Sequence, residues 1–255
     1  MIKPLLVAAA LLMALPVQAK ESVVLGLSQN SVEITTDFDG SDILIFGAIK
    51  REIPIPDDSP LEVIVTLSGP SLPAVVRRKD RRFGIWTNVE SVEIDRAPIF
   101  YAVATSAPFD QMLSASEDRR HRVSIERAIL SIGAKVSNEN AETFQEALVR
   151  VREEDGKYVL LENTVDVDQQ TLFRTTIQMP PDLTEGAYTA RILLTREAQV
   201  VAAHSAEIEV RKVGLERFLF NLSREQPWAY GVLALVIAAL AGWGASAIFS
   251  LLRNR

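Results

Sequence analysis

The spacing of apolar and polar residues changes character along the chain, and each change marks a different kind of element. From residue 21 to about 106 the dominant period is two. Val32, Ile34, Thr36 and Phe38 alternate with Glu33, Thr35 and Asp37, and Asp39-Gly40 then supplies a two-residue hairpin signal before the apolar run 43–49 (ILIFGAI). A second run, 61–67 (LEVIVTL), ends at Gly69-Pro70. Further strand-like stretches cover 73–77, 83–86, 91–94 and 98–104. Short strands punctuated by Gly, Pro and Asp predict an antiparallel sandwich of immunoglobulin-like type.

The period then lengthens. Ile125, Ile129 and Ile132 are spaced by four and three, as are Phe144, Leu148 and Val151, with Glu142, Glu146 and Arg150 on other faces. These spacings predict helices over 114–137 and 140–154, a helical hairpin inserted between β segments, with Asn138 and Asn140 at the break. Strands resume at Tyr158. Residues 172–179 lead into Pro180-Pro181, and Glu185-Gly186 opens a hairpin that pairs 187–195 with 200–210. These late strands either form a second lobe or complete the first sheet.

Both ends are apolar. Lys3, the run 5–15, Pro16 and the small residues Val17 and Ala19 form a secretory signal with cleavage expected after Ala19. Residues 229–249 are a strongly apolar stretch, long enough at roughly 1.5 Å per residue to cross the hydrocarbon layer. Trp228 and Tyr230 stand where an interfacial aromatic belt belongs, and Arg253 and Arg255 follow the span. The two signals agree on one topology: domain in the periplasm, single span in the inner membrane, C-terminus in the cytoplasm. Ala234, Ala238, Gly242 and Ser246 recur at four-residue spacing, a stripe that lets another helix approach closely. Just before the span, Leu215, Phe218, Leu219 and Leu222 share one face of an expected amphipathic helix over 213–226. The expected organisation is therefore a signal peptide (1–19), a β segment (20–106), a helical insertion (107–157), a second β segment (158–212), the amphipathic helix (213–226), the transmembrane helix (227–252) and a cytoplasmic tail (253–255).

Composition narrows the chemistry. Residues 20–226 hold 24 Lys and Arg against 33 Asp and Glu, an acidic balance that argues against general nucleic-acid binding. The chain has no cysteine and only two histidines, His121 and His204, so disulfides, thiolate nucleophiles and multi-His metal sites are excluded within one chain. Asp37, Asp39 and Asp42 alternate around Gly40 like a calcium loop but lack its distal Glu, and the hairpin accounts for the same residues. No nucleophile-elbow, zinc-protease, phosphate-loop or dinucleotide pattern occurs. The expectation is no catalytic residue, no metal and no cofactor. Two basic clusters stand out on this acidic background: Arg77, Arg78, Lys79, Arg81 and Arg82, and Arg119, Arg120 and Arg122. They are candidates for an anion site or for contact with lipid headgroups.

Several local patterns occur together: ILIFGAI at 43–49, Gly84-Ile-Trp86-Thr-Asn88, Leu172-Phe-Arg174, Gly186-Ala-Tyr188-Thr189, and Arg211-Lys-Val-Gly-Leu-Glu-Arg-Phe218 running into Tyr230-Gly231. As a set they resemble a family of alphaproteobacterial transmembrane proteins with no assigned activity, across essentially the whole mature chain. The resemblance carries no catalytic residues. It implies an association with sulfite-exporter-type permeases. The expected function is a non-enzymatic, membrane-anchored accessory protein that meets another inner-membrane protein. The alternatives are a periplasmic small-anion sensor using the basic clusters and a hydrolase built on a carboxylate pair.

Overall fold

A computed structural model describes residues 22–34, 38–51, 59–129, 138–212, 219 and 222–253, with backbone alone at 138–141 and 246–253. The expected signal segment lies outside the described residues. Of the expected amphipathic helix, only Leu219 and residues 222–226 are described; Leu219 and 222–225 are helical.

Twelve strands are described: β1 (Ser22–Leu27), β2 (Ser31–Ile34), β3 (Ser41–Lys50), β4 (Glu62–Ser68), β5 (Ser71–Arg82), β6 (Ile85–Pro98), β7 (Tyr101–Thr105), β8 (Tyr158–Leu161), β9 (Asp166–Asp168), β10 (Leu172–Met179), β11 (Gly186–Arg196) and β12 (Gln199–Lys212). Ten of them build two sheets, β1-β3-β10-β9 and β2-β12-β11-β4-β7-β8. Ile43, Ile45, Phe173, Ile177 and Met179 from the first sheet share one buried cluster with Val63, Val65, Tyr188, Ile192 and Ile208 from the second. The protein is mainly β and mostly antiparallel; the pairs β2–β12 and β7–β8 are parallel. Strands from both halves of the chain interleave, since β10 pairs with β3 and β11 with β4.

The burial pattern explains why some strands alternate and others do not. β10 alternates exposed and buried residues along its whole length, because only one face of its sheet is covered. The central residues of β4 and all of β7 are buried on both faces, which is why Val63, Ile64 and Val65 follow one another with no polar residue between them. The second cover is helical. Met112, Leu113, Val123, Ile125, Ile129, Leu148 and Val149 pack against Ile64, Tyr101, Val103, Tyr158 and Leu193 on the outer face of the six-stranded sheet.

Four expectations are corrected. First, Asp39-Gly40 does not join a hairpin: β2 pairs with β12 and β3 with β1 and β10, so the segment carries the chain from one sheet to the other. Gly40, at φ 116°, lies so close to the Met179 carbonyl that a Cβ would sit 2.8 Å from it. Second, the described part of the helix expected over 114–137 is not one helix but two short ones, α2 (Ala115–His121) and α3 (Ile125–Ala128), preceded by α1 (Phe109–Met112); residues 130–137 lie outside the described residues, and the long α4 (Asn138–Glu154) follows. The break has a local cause. Arg122 takes the left-handed conformation, and the Asp118 carboxylate accepts hydrogen bonds from Val123 N (3.0 Å), Ser124 N (2.8 Å) and Ser124 Oγ (2.8 Å). Third, α4 buries Phe144, Leu148 and Val149, while Val151 stays half-exposed. Ile132 lies outside the described residues. Fourth, the stretches read as separate strands at 73–77, 83–86 and 91–94 belong to one long hairpin of β5 and β6, with residues 83–84 forming its turn.

Candidate functional site

The β5–β6 hairpin is an arm that grows out of the sandwich. The β4–β7 ladder continues through Gly69 N to Phe100 O (2.8 Å) and Ile99 N to Pro70 O (3.0 Å), then into the pair Ser71–Pro98. At Gly69-Pro70 the ribbon leaves the sheet. Gly69 permits this because a Cβ there would press on the ring of Tyr188 at 2.9 Å. The lower half of the arm is held by the helical layer. Ile94 and Ala97 belong to the outer core, Ala74 and Val76 pack against it, and the Arg78 guanidinium lies 6.0 Å from the centre of the Phe144 ring.

Above Arg78, no element among the described residues is seen to hold the upper half beyond its own ladder. Every residue from Arg77 to Asn88 is exposed. Arg81 pairs with Trp86 and Arg82 with Ile85 across the ribbon, and a bulge follows between Arg78 and Lys79. The turn is Phe83-Gly84, with φ 51° and 82°, the doubly left-handed pattern of a type I′ hairpin. Phe83 is fully exposed, and Ile85 and Trp86 keep 68% and 67% of their surface. Sequence reading registered these residues only as strand. The signal that could have found them was a Phe-Gly pair standing where Asn-Gly usually stands, between two stretches able to pair.

The first basic cluster decorates this tip. Arg78 bridges Glu90 at 2.7 Å and Arg82 approaches Asp80 at 3.7 Å, both on exposed groups where such pairs contribute little. Arg81 donates from its backbone to Asp80 Oδ1 (2.8 Å) and from Nε to Gly84 O (3.5 Å). Arg77 and Lys79 have no ion-pair partner among the described residues. The second cluster sits elsewhere. Arg119 and Arg120 ride on α2, where Arg120 reaches Glu117 (3.7 Å), and Arg122 caps the helix. That helix is tied to β11 and the β11–β12 turn. Arg191 donates to His121 O (2.9 Å) and Arg122 O (3.0 Å), Ser114 N donates to Ala198 O (2.9 Å), and Val200 N donates to Glu117 Oε2 (3.3 Å). Thus one cluster stands on a free ribbon and the other on a docked helix. No hydrogen bond or ion pair joins them among the described residues.

Hollows open at three places among the described residues. A groove of about 920 Å³ runs between α4 and the 109–127 stretch, lined by Asp110, Asp118, Glu126, Glu142, Glu146 and Glu153 with Arg127 and Arg150 among them. Asp118 is committed to the helix joint, and neither histidine lines the groove. A hollow of about 330 Å³ opens between Leu161 and Met179, and one of about 200 Å³ lies beside Lys157 and Tyr188. None of the eight basic residues lines any of the three. Among the described residues no group of three or more His, Asp or Glu is placed to hold a metal ion; Asp37 lies outside them.

The last element is α5 (Pro227–Arg253), whose stretch Pro227–Ala245 has mean hydropathy 1.7 and is long and apolar enough to cross a membrane. None of that stretch is buried inside the protein. Ala234, Ala238 and Gly242 are exposed on it, and a Cβ at Gly242 would meet nothing within 4 Å. Ser246 is helical, and its side chain is outside the description. The family described as "Putative transmembrane protein (Alph_Pro_TM)" matches residues 22–250. The chain belongs to this family. The match covers both sheets, the arm and the apolar helix, so the family unit is the β domain together with its span. No curated protein matches the chain.

Proposed function

We propose that this family member is a non-enzymatic accessory protein of the inner membrane that works by contact, and that the arm is its contact element. The domain stands in the periplasm, the single span crosses with Arg253 on the cytoplasmic side, and residues 1–19 are a cleaved signal. The observation that carries the reading is the arm tip: three large apolar side chains held in water at a backbone turn that disfavours one of them. Exposed aromatic and arginine side chains of this kind are what interfaces use as anchors. The immunoglobulin-like reading of the sandwich belongs to the same proposal. It is supported by the strand order, in which β7 extends one sheet antiparallel to β4 as an extra strand of variable-type domains does. The stripe of Ala234, Ala238, Gly242 and Ser246 offers a packing surface within the bilayer, and a permease for small sulfur-containing anions is the partner that the family resemblance suggests.

The test is purification of the full chain from its own membranes in mild detergent. Recovery with a second inner-membrane protein is the expected result. Recovery only as a lone monomer overturns the reading. A small-anion binder that draws on both basic clusters finds no support in the three hollows described above, none of which either cluster lines.

A further inference from the structure

We infer that the arm tip docks on an anionic lipid surface, with Phe83, Ile85 and Trp86 in the interfacial layer and Arg77, Lys79 and Arg81 among the headgroups. The inference rests on the reading of the arm as a contact element and names what it touches. Three observations lead there.

The first is the distribution of side chains over the ribbon. Residues directly opposite in the ladder share a face. Arg81 with Trp86 therefore occupies one face, and Arg82 with Ile85 the other, while Phe83 stands at the turn between them. A tip that carries a cation and a large apolar group on each face has no polar side to leave in water. A flat protein interface would wet one face and desolvate the other. Immersion in a headgroup layer accepts both faces, because the apolar groups reach acyl chains while the long basic side chains extend back to phosphates.

The second is charge. The segment between the two apolar ends is acidic as a whole, yet the tip gathers Arg77, Arg78, Lys79, Arg81 and Arg82 within six positions. Asp80 and Glu90 engage two of them, at Arg82 and Arg78. Among the described residues Arg77, Lys79 and Arg81 have no carboxylate paired to their side-chain charge, which leaves those charges to face an external anion. A surface rich in phosphate complements that pattern without needing a fixed geometry.

The third is reach. Val210 pairs with Gly186, Thr189 with Ser68, and Ser68 with Tyr101, so the last residues of β12 and the root of the arm lie at the same end of the sandwich. The chain enters the span 15 residues after Lys212, which confines the domain to within about 50 Å of the bilayer. The twelve residues of β5 extend about 40 Å, so tip and bilayer are within the same range.

The test uses the full chain with Trp228→Phe and Trp243→Phe, which leaves Trp86 as the sole tryptophan, reconstituted in lipid nanodiscs. In discs of phosphatidylethanolamine with phosphatidylglycerol, Trp86 emission should shift to the blue and be quenched by bromine-labelled acyl chains. Discs of phosphatidylcholine alone, high salt, or the combined Arg77→Glu, Lys79→Glu and Arg81→Glu variant should abolish or weaken both signals. Each charge is expected to change the docked-to-free ratio on the order of fivefold. Solvent-like, unquenched Trp86 in the anionic discs overturns the inference, and quenching that is equal in neutral lipid overturns its anionic part. The arm itself is checked separately with Thr87→Cys, the chain's only cysteine, labelled by an impermeant maleimide in native membranes. Slow labelling together with a solvent-like Trp86 means that the arm contacts a protein: the lipid inference falls and the contact reading stands. Fast labelling with a solvent-like Trp86 removes both.

Discussion

Phe83 holds a left-handed backbone (φ 51°) with its whole side chain in water, so it gains nothing from packing while it bears the steric cost of that conformation. Phe83→Asn should therefore raise unfolding free energy by about 1 kcal/mol in a denaturant titration, since Asn-Gly is the preferred pair for this turn. The same change should weaken whatever contact the tip makes, a trade of stability for function at one residue. The buried tyrosines give a second residue-level expectation. Burial pushes the hydroxyls of Tyr158 and Tyr188 up to about 12, and raises that of Tyr101 as well. Their folded values lie above the unfolded value near 10, so their contribution is intact below pH 10 and is lost as pH rises from about 10 through about 12. The melting temperature should fall steeply across that window, and less steeply in the Tyr158→Phe, Tyr188→Phe double variant. Tyr158→Phe also removes the hydrogen bond to Pro98 O (2.7 Å), which lowers stability at neutral pH and is separable from the slope.

At the level of elements, two joints set the shape. The α2–α3 joint is closed by Asp118, whose carboxylate takes three hydrogen bonds, and by Arg191, which reaches the carbonyls of His121 and Arg122. Asp118→Ala leaves two partly buried backbone donors without their acceptor and should cost about 2–3 kcal/mol, with faster amide exchange at Val123 and Ser124. The arm is joined to the domain by apolar contact in its lower half. Ile94 is buried against the helical layer, so Ile94→Ala should cost about 2–4 kcal/mol and loosen the arm from α4. Limited trypsin digestion checks this directly, because the added cleavage should fall within Arg77–Lys79 and Arg81–Arg82 rather than across the domain.

On the scale of the whole molecule, the two buried clusters are built, among the described residues, from residues between Val23 and Val210, and none of their described members comes from α5. The span therefore anchors the fold without completing it. A chain ending at Lys212 should fold and wash out of membranes with alkaline carbonate, while the full chain should stay in the pellet. Retention of the truncated chain by anionic vesicles, and its loss with the tip charges reversed, would agree with the lipid-docking arm.

Some of this was legible along the chain. The apolar span, the strand-rich middle, the closing hairpin of β11 and β12 and the helical character of residues 140–154 follow from local periodicity, because burial of one face imposes a period of two or 3.6 wherever one face alone is buried. The same rule explains where reading failed. β4 and β7 are buried on both faces, so their alternation vanishes and nothing local says which sheet or partner they join. Asp39-Gly40 has the chemistry of a hairpin turn, yet long-range pairing of β2 with β12 turned it into a passage between sheets. The helix break at Arg122 depends on Asp118 folding back, and the separation of the two basic clusters depends on α4 receiving the arm while β11 receives α2. The sequence alone determined that this chain is a β-rich domain with an apolar helix to anchor it, since composition and period report solvent and burial. Only the tertiary structure decided that Phe83, Ile85 and Trp86 stand together at the free end of a basic arm, because exposure is settled by which neighbours do not arrive.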